Sequence, residues 1–152
     1  RNFLLENSQV LDLVKNNYPP DGNHNLGYCK NLRILRQVLL DFKRIYDAMS
    51  SNFSQNEDIL FELFENLLIL SIELKGDSSY YLSINKKYQK VYENMGYSPP
   101  EEGKLEIILK EYPCQKGKEP FPSPKWWHDF FSKGIIDKRI LEHECSAKSA
   151  FS

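Results

Sequence analysis

The chain has little of the chemistry that builds disulfide or metal sites. Its three cysteines are odd in number, widely spaced and without a CxxC pair: Cys29, Cys114 and Cys145. The three histidines share no metal-ligand spacing with one another or with the cysteines: His24, His128 and His143. This pattern predicts reduced thiols in a cytoplasmic protein and no metal site.

Long apolar runs and an excess of one charge are also missing. The best candidate for a membrane span, Ile59 to Leu74, falls short of the roughly 18 residues required, because Glu62, Glu65 and Glu73 interrupt it. We therefore expect no membrane partner. The net charge of -1 disfavours a protein covered in nucleic-acid-binding charge, although it leaves a local basic stripe open. Because the chain begins at Arg1 and not at a methionine, we expect it to be a piece of a longer protein.

Alternating strand patterns are nearly absent, and apolar residues instead recur at helical spacing. With 41% hydrophobic and 27% charged residues, the chain has the composition of a globular domain. The sequence predicts an all-α fold, an irregular bundle of six to seven helices. The most buried helix is expected to follow a capping box from Ser54 to Glu57. Its core face holds Leu60, Phe64, Leu67, Leu68 and Ile72.

Capping residues and turn signals predict the remaining helices. A first helix is expected from about Phe3 to Val14, and another runs from about Ile84 to Met95 and ends at Gly96. A second capping box, Ser98 to Glu101, opens a short helix. The last two helices are expected to start at Ser123-Pro124 and at Asp137. We predict a helical bundle over residues 1–112, and a proline-rich loop with a C-terminal helical segment packed on it over residues 113–152.

The helix predicted from about Lys30 to Met49 has the strongest pattern. On a helical wheel, one arc is apolar: Leu32, Leu35, Val38, Leu39, Phe42, Ile45, Tyr46 and Met49. The complementary arc is basic: Lys30, Arg33, Arg36, Lys43 and Arg44. Most of these charges are expected to be solvated or paired with carboxylates such as Asp41. Arg33 stands in the first turn, where the positive end of the helix disfavours a cation. An external anion would explain its position, and so would tolerance of a small penalty.

The start of this helix, Asn31-Leu32-Arg33-Ile34-Leu35, resembles the N-x-R-x-L helix start of AAA+-like P-loop ATPases. The stretches from Leu63 to Asp77 and from Pro122 to Ser152 are similar to C-terminal segments of bacterial KAP-type and STAND-like members, many of which are linked to phage defence. The resemblance implies a helical lid in which Arg33, with Asn31, contacts the nucleotide. It also implies that ATP, and Mg²⁺ in the parent protein, are held by an N-terminal nucleotide-binding core of the same polypeptide.

No GxxxxGK[ST] loop and no Walker B strand are present in the chain, so we expect no hydrolysis by the chain alone and no catalytic residues in it. The alternative hypothesis is a freestanding helical module that binds a protein or a nucleic acid. Lys116, Lys118 and Lys125 near the proline loop are the nearest candidates for phosphate contacts. Trp126 and Trp127 are expected to be core or interface anchors, although stacking on bases is the other interpretation.

Overall fold

The computed structural model describes residues 32–75, 89–97, 101–112, 115 and 117–150. Every regular element within these ranges is helical, which confirms the all-α prediction. The helices are α1 (Leu32–Ala48), α2 (Glu57–Lys75), α3 (Glu101–Glu111), α4 (Pro124–Lys133) and α5 (Lys138–Ala150), with a further helical stretch over residues 89–94. Several sequence predictions fall outside the described residues. They are the helix predicted near Phe3, the residues Asn31 and Gly76, and most of the capping box that begins at Ser98.

Helix α1 buries only part of the predicted apolar arc. Val38, Phe42 and Ile45 are at most 6% exposed, as predicted, whereas Leu39 is 39% exposed. Ile34, which lies outside the predicted arc, is buried at 5% exposure. At 100° per residue the centre of the buried stripe is therefore turned by roughly 60° from the centre of the predicted arc. The Phe42 ring, which both stripes share, packs edge-on against Phe64 of α2 with 5.3 Å between centroids.

The N-cap of helix α2 lies two residues after the one that the sequence predicts. The side-chain oxygen of Asn56 accepts hydrogen bonds from the backbone N–H groups of Asp58 and Ile59, at 3.1 and 3.2 Å. Asn56 is therefore the N-cap, and the prediction that Ser54 takes this role is wrong. The backbone N–H of Ser54 instead donates to the Ser50 carbonyl within the preceding turn. Asparagine caps at least as well as serine, and Glu57 and Asp58 add negative charge to the first turn of α2.

Replacing Asn56 by alanine is expected to destabilise the protein by about 1 kcal/mol, because two N–H groups at the start of α2 lose their acceptor. Ser54→Ala is the matched control, and its effect should stay within about 0.5 kcal/mol. Urea denaturation of the two variants measures both values. Equal losses, or a larger loss for Ser54→Ala, would contradict the assignment of the cap.

Helix α2 is the centre of the bundle, as predicted. It is buried on all sides from Ile59 to Glu73 apart from Phe61 and Glu62, and all five predicted core residues are at most 4% exposed. Helices α1, α3 and α5 pack against α2, and α3 also packs against α4. A helix that is apolar all round is stable in water only when neighbours cover it, so α2 depends on these three helices.

The helical stretch over residues 89–94 ends as predicted at Gly96, which adopts a left-handed φ of 76°. The backbone N–H of Tyr97 closes this end on the Tyr92 carbonyl at 2.9 Å. Val91 and Met95 of this stretch are 49% and 61% exposed.

Both C-terminal helices begin where the sequence predicts. Pro124 opens α4, and Gly134 ends it in a left-handed conformation with its N–H bonded to the Phe130 carbonyl. Asp137 caps α5 by accepting from two backbone N–H groups at 3.1 Å each. None of the helices in the described ranges has the length and apolar character needed to cross a bilayer.

Candidate functional site

Arg33 lies in the first turn of α1 on the side away from the core, and its side chain is exposed. The first turn contains no acidic residue. Across the residues that the structure describes, neither Arg33 nor the exposed Arg36 one turn later forms an ion pair or a side-chain hydrogen bond. Two guanidinium groups on one rigid helix therefore point away from the bundle with their donors available. Asn31, the second residue predicted to contact a nucleotide, lies outside the described residues.

The rest of the basic arc of α1 is engaged within the molecule. Lys43 forms an ion pair with Asp47 at 2.8 Å. Arg44 donates to the Gly134 carbonyl at 3.0 Å and lies 5.5 Å from the ring centre of Phe130. These contacts attach α1 to the C-terminal end of α4. Among the described residues, the arc thus divides into a paired half, Lys43 and Arg44, and an unpaired half, Arg33 and Arg36.

A cluster of polar and charged side chains around the Asp41 carboxylate lies between α1 and α2 and includes Arg44. Asp41 is 4% exposed and accepts a hydrogen bond from the amide of Gln37 at 3.0 Å. The Arg44 guanidinium and the Lys75 ammonium each lie 3.8 Å from its oxygens. Burying a carboxylate is tolerable only with such partners, so this cluster fixes how α1 lies on α2. On the helical wheel Asp41 is expected only as a partner for surface charges, whereas the structure buries it.

Helix α2 carries three more buried polar side chains that face the C-terminal half of the chain. The amide of Asn66 donates to the Phe121 carbonyl at 2.6 Å. Gln115 donates to Glu65, and the Tyr112 hydroxyl donates to Glu73. Each contact holds a loop or helix end against α2. In the sequence, Glu65, Asn66 and Glu73 stand as interruptions of an apolar run. Because that run predicts the most buried helix, their place within it is the signal that could have identified them as buried polar contacts.

An open cleft of about 650 Å³ lies between the start of α2, the loop at residues 119–121 and the last turns of α5. Its apolar lining comes from Ile59, Pro120, Phe121 and Ala147. Its charged lining consists of four carboxylates and one ammonium: Asp58, Glu62, Glu119, Glu144 and Lys148. The cleft is therefore acidic, and no pattern in the linear sequence brings these residues together.

The tryptophans, Cys145 and the described histidines are the remaining candidate residues from the sequence. Trp126 and Trp127 are 0% exposed, so they are core anchors and cannot stack on bases. Burial raises the pKa of the Cys145 thiol to about 11, with Glu142 and Glu144 adding to the effect, so the thiol stays protonated at neutral pH. His143 is exposed and His128 half-buried. Within the described part of the chain, no group of three or more His, Cys, Asp or Glu side chains is placed to hold a metal ion.

Comparison of the chain with known protein families, with curated proteins and with solved structures found no match.

Proposed function

We propose that this chain is the non-catalytic helical lid and C-terminal region of a larger bacterial P-loop ATPase in the cytoplasm. In this proposal Arg33 senses ATP held by the N-terminal core of the same polypeptide, and the lid couples the nucleotide state to a partner in anti-phage defence. The observation that carries the proposal is the exposed and unpaired Arg33 guanidinium in the first turn of α1. Lys43 and Arg44 farther along the helix are paired, whereas Arg33, like Arg36, forms no ion pair or side-chain hydrogen bond within the described residues and keeps its donors for an external anion.

An arginine at this position is suited to a terminal phosphate. Its guanidinium offers a planar set of donors that matches phosphate oxygens, and it stays charged at any physiological pH. The N-terminal end of α1 adds a positive partial charge in the same place. A cation there is unfavourable while the site is empty, and the penalty is relieved when an anion approaches. The lid would therefore gain free energy by closing on the nucleotide.

The packing of α1 offers a route for the coupling. Phe42 locks α1 to Phe64 of α2, and Asp41 holds Lys75 at the other end of α2. Arg44 links α1 to the end of α4. A movement of Arg33 towards a phosphate would consequently turn α1, α2 and α4 together as one body, which is the kind of rigid-body step found in nucleotide switches.

Replacing Arg33 by alanine in the polypeptide that joins this chain to its nucleotide-binding core is expected to lower ATP turnover roughly a hundredfold. A single donor directed at developing transition-state charge typically has an effect of this size. The measurement is phosphate release at saturating ATP. The free energy of unfolding of the 152-residue chain should change by less than about 0.5 kcal/mol, because no partner within the described residues depends on Arg33.

Arg36→Ala and Lys43→Ala are the matched controls, since both lie on the same arc farther from the helix start, and both should change turnover by less than about twofold. The 152-residue chain serves as the blank and should not hydrolyse ATP. Wild-type turnover in the Arg33→Ala polypeptide would contradict the sensor role. A parent gene without a Walker A and Walker B pair ahead of this chain would contradict the whole proposal.

The second candidate is a freestanding interaction module, and one observation favours it. Leu39 and Leu40, at 39% and 50% exposure, lie on the same outward side of α1 as Arg36 and Lys43. A helix that presents leucines beside basic residues is typical of surfaces that bind proteins. If Arg36→Ala and Leu40→Ala weaken binding of a partner while Arg33→Ala has no effect on any ATPase, this candidate replaces the first.

A further inference from the structure

The acidic cleft already holds one cation, and the way it does so indicates what else fits there. The Lys148 ammonium lies 2.6 Å from Oε2 of Glu62 and 4.9 Å from the ring centre of Phe121. A carboxylate on one side and an aromatic face on the other are a favourable setting for an ammonium or a guanidinium. The cleft therefore contains a working cation site built from Glu62 and Phe121.

The second oxygen of Glu62 is not used by Lys148. Oε1 of Glu62 is buried and has no hydrogen-bond partner among the described residues, while the side chain as a whole is 12% exposed. A buried carboxylate oxygen without a donor is costly, so Lys148 compensates the negative charge of Glu62 only in part. Glu62 therefore adds negative charge to the lining of the cleft.

The rim of the cleft extends this preference outward. Asp58 and Glu119 are exposed, and no ion pair engages either of them within the described ranges. Glu144 is half-buried and accepts from the Ser123 N–H at 2.9 and 3.2 Å, so its charge is fixed in place. Four carboxylates against one ammonium give a field that attracts cations and repels nucleic acids and anionic lipids. Charge complementarity thus selects a basic partner.

We propose that this cleft binds a lysine- or arginine-bearing segment of a partner protein. One basic side chain of the segment would lay its aliphatic stem along Phe121 and Pro120 and place its charged end near the Glu62 carboxylate. Neighbouring basic residues would pair with Asp58 and Glu119 on the rim. Lysine and arginine combine an apolar stem with a charged end, which matches a cleft with an apolar floor and an acidic rim. The inference does not depend on the nucleotide role of Arg33.

The probe is a fluorescently labelled peptide of alternating lysine and leucine, measured by anisotropy with the 152-residue chain. Asp58→Asn combined with Glu119→Gln should weaken binding about fivefold, because two exposed ion pairs are lost. The matched control combines Glu93→Gln with Glu142→Gln, which removes the same charge from exposed sites outside the cleft. The control should change the affinity by less than about twofold.

Lys148→Met gives a result of opposite sign. Removing the resident ammonium leaves Oε2 of Glu62 without its donor and available to the peptide, so binding should tighten about threefold or more, provided the helical spectrum is retained. Unchanged affinity in the Asp58 and Glu119 variant, an equal loss in the control, or weaker binding by Lys148→Met would overturn the proposal. Equally tight binding of a glutamate–leucine peptide would overturn the charge argument. If spermidine displaced the peptide at the peptide's own concentration, the assignment to a protein segment would fall.

Discussion

Replacing Leu67 by alanine is expected to lower the free energy of unfolding by about 2–5 kcal/mol. Leu67 lies at the middle of α2, is 0% exposed and belongs to the hydrophobic core cluster of the described residues. Truncation removes the transfer free energy of the side chain and leaves a cavity that packed neighbours fill only in part. Because α1, α3 and α5 all rest on α2, the loss should appear as one cooperative shift of the urea midpoint.

Leu39→Ala is the informative control for this measurement. The sequence pattern assigns Leu39 to the core, and the structure exposes 39% of it. Its truncation should cost less than about 1 kcal/mol, within the range of surface substitutions. An equal loss of stability at Leu39 and Leu67 would indicate that Leu39 faces the core as predicted. A loss below about 1 kcal/mol at Leu67 would contradict the central position of α2.

Replacing Trp126 by alanine is expected to cost about 3–5 kcal/mol. Its ring is fully buried, stacks parallel to Phe130 at 5.7 Å and meets Trp127 edge-on at 4.8 Å. Its indole N–H also donates to the Asp137 carbonyl at 3.1 Å, which ties α4 to the residue that caps α5. Thermal or urea denaturation measures the combined loss of packing and hydrogen bonding.

Phenylalanine substitutions separate these two contributions. Trp126→Phe keeps an aromatic ring and loses the bond to Asp137, whereas the buried N–H of Trp127 has no acceptor in the described part of the chain. Trp126→Phe should therefore cost about 1 kcal/mol more than Trp127→Phe. Equal costs at the two positions would show that the indole bond adds nothing, and an alanine effect below about 1 kcal/mol would contradict the anchor role.

Local signals in the sequence predict where most described helices begin and end, because caps and glycine stops act within a few residues. Pro124 and Gly134 mark the start and the end of α4 in this way, and Asp137 marks the start of α5. The capping prediction at α2 fails because two good caps stand close together, and Ser54 is drawn into a turn with Ser50. The prediction for α1 fails in part for another reason. Its apolar arc is wider than the face that α2 covers, so Leu39 stays exposed while Ile34 is buried.

The functional surfaces are less accessible to sequence reasoning, because they join residues far apart in the chain. Arg33 is identified by its position in one helix, which a wheel displays. The sequence around Asp41 does not predict its ion pair with Lys75, and the sequence around Glu62 does not predict its ion pair with Lys148. The hydrophobic pattern of a sequence also does not show whether a charged residue is buried. The acidic cleft therefore becomes visible only when α2 and α5 are placed side by side.

The carboxylate of Glu144 is the point at which α5 contacts the start of α4. Ser123 makes no side-chain cap, and its backbone N–H donates to Glu144 of α5. The indole of Trp126 in α4 returns the contact by donating to the Asp137 carbonyl at the start of α5. These two bonds join helices whose main packing partners differ, since α4 packs against α3 and α5 packs against α2. Opening of α5 is therefore expected to leave the Ser123 N–H at the start of α4 exchangeable.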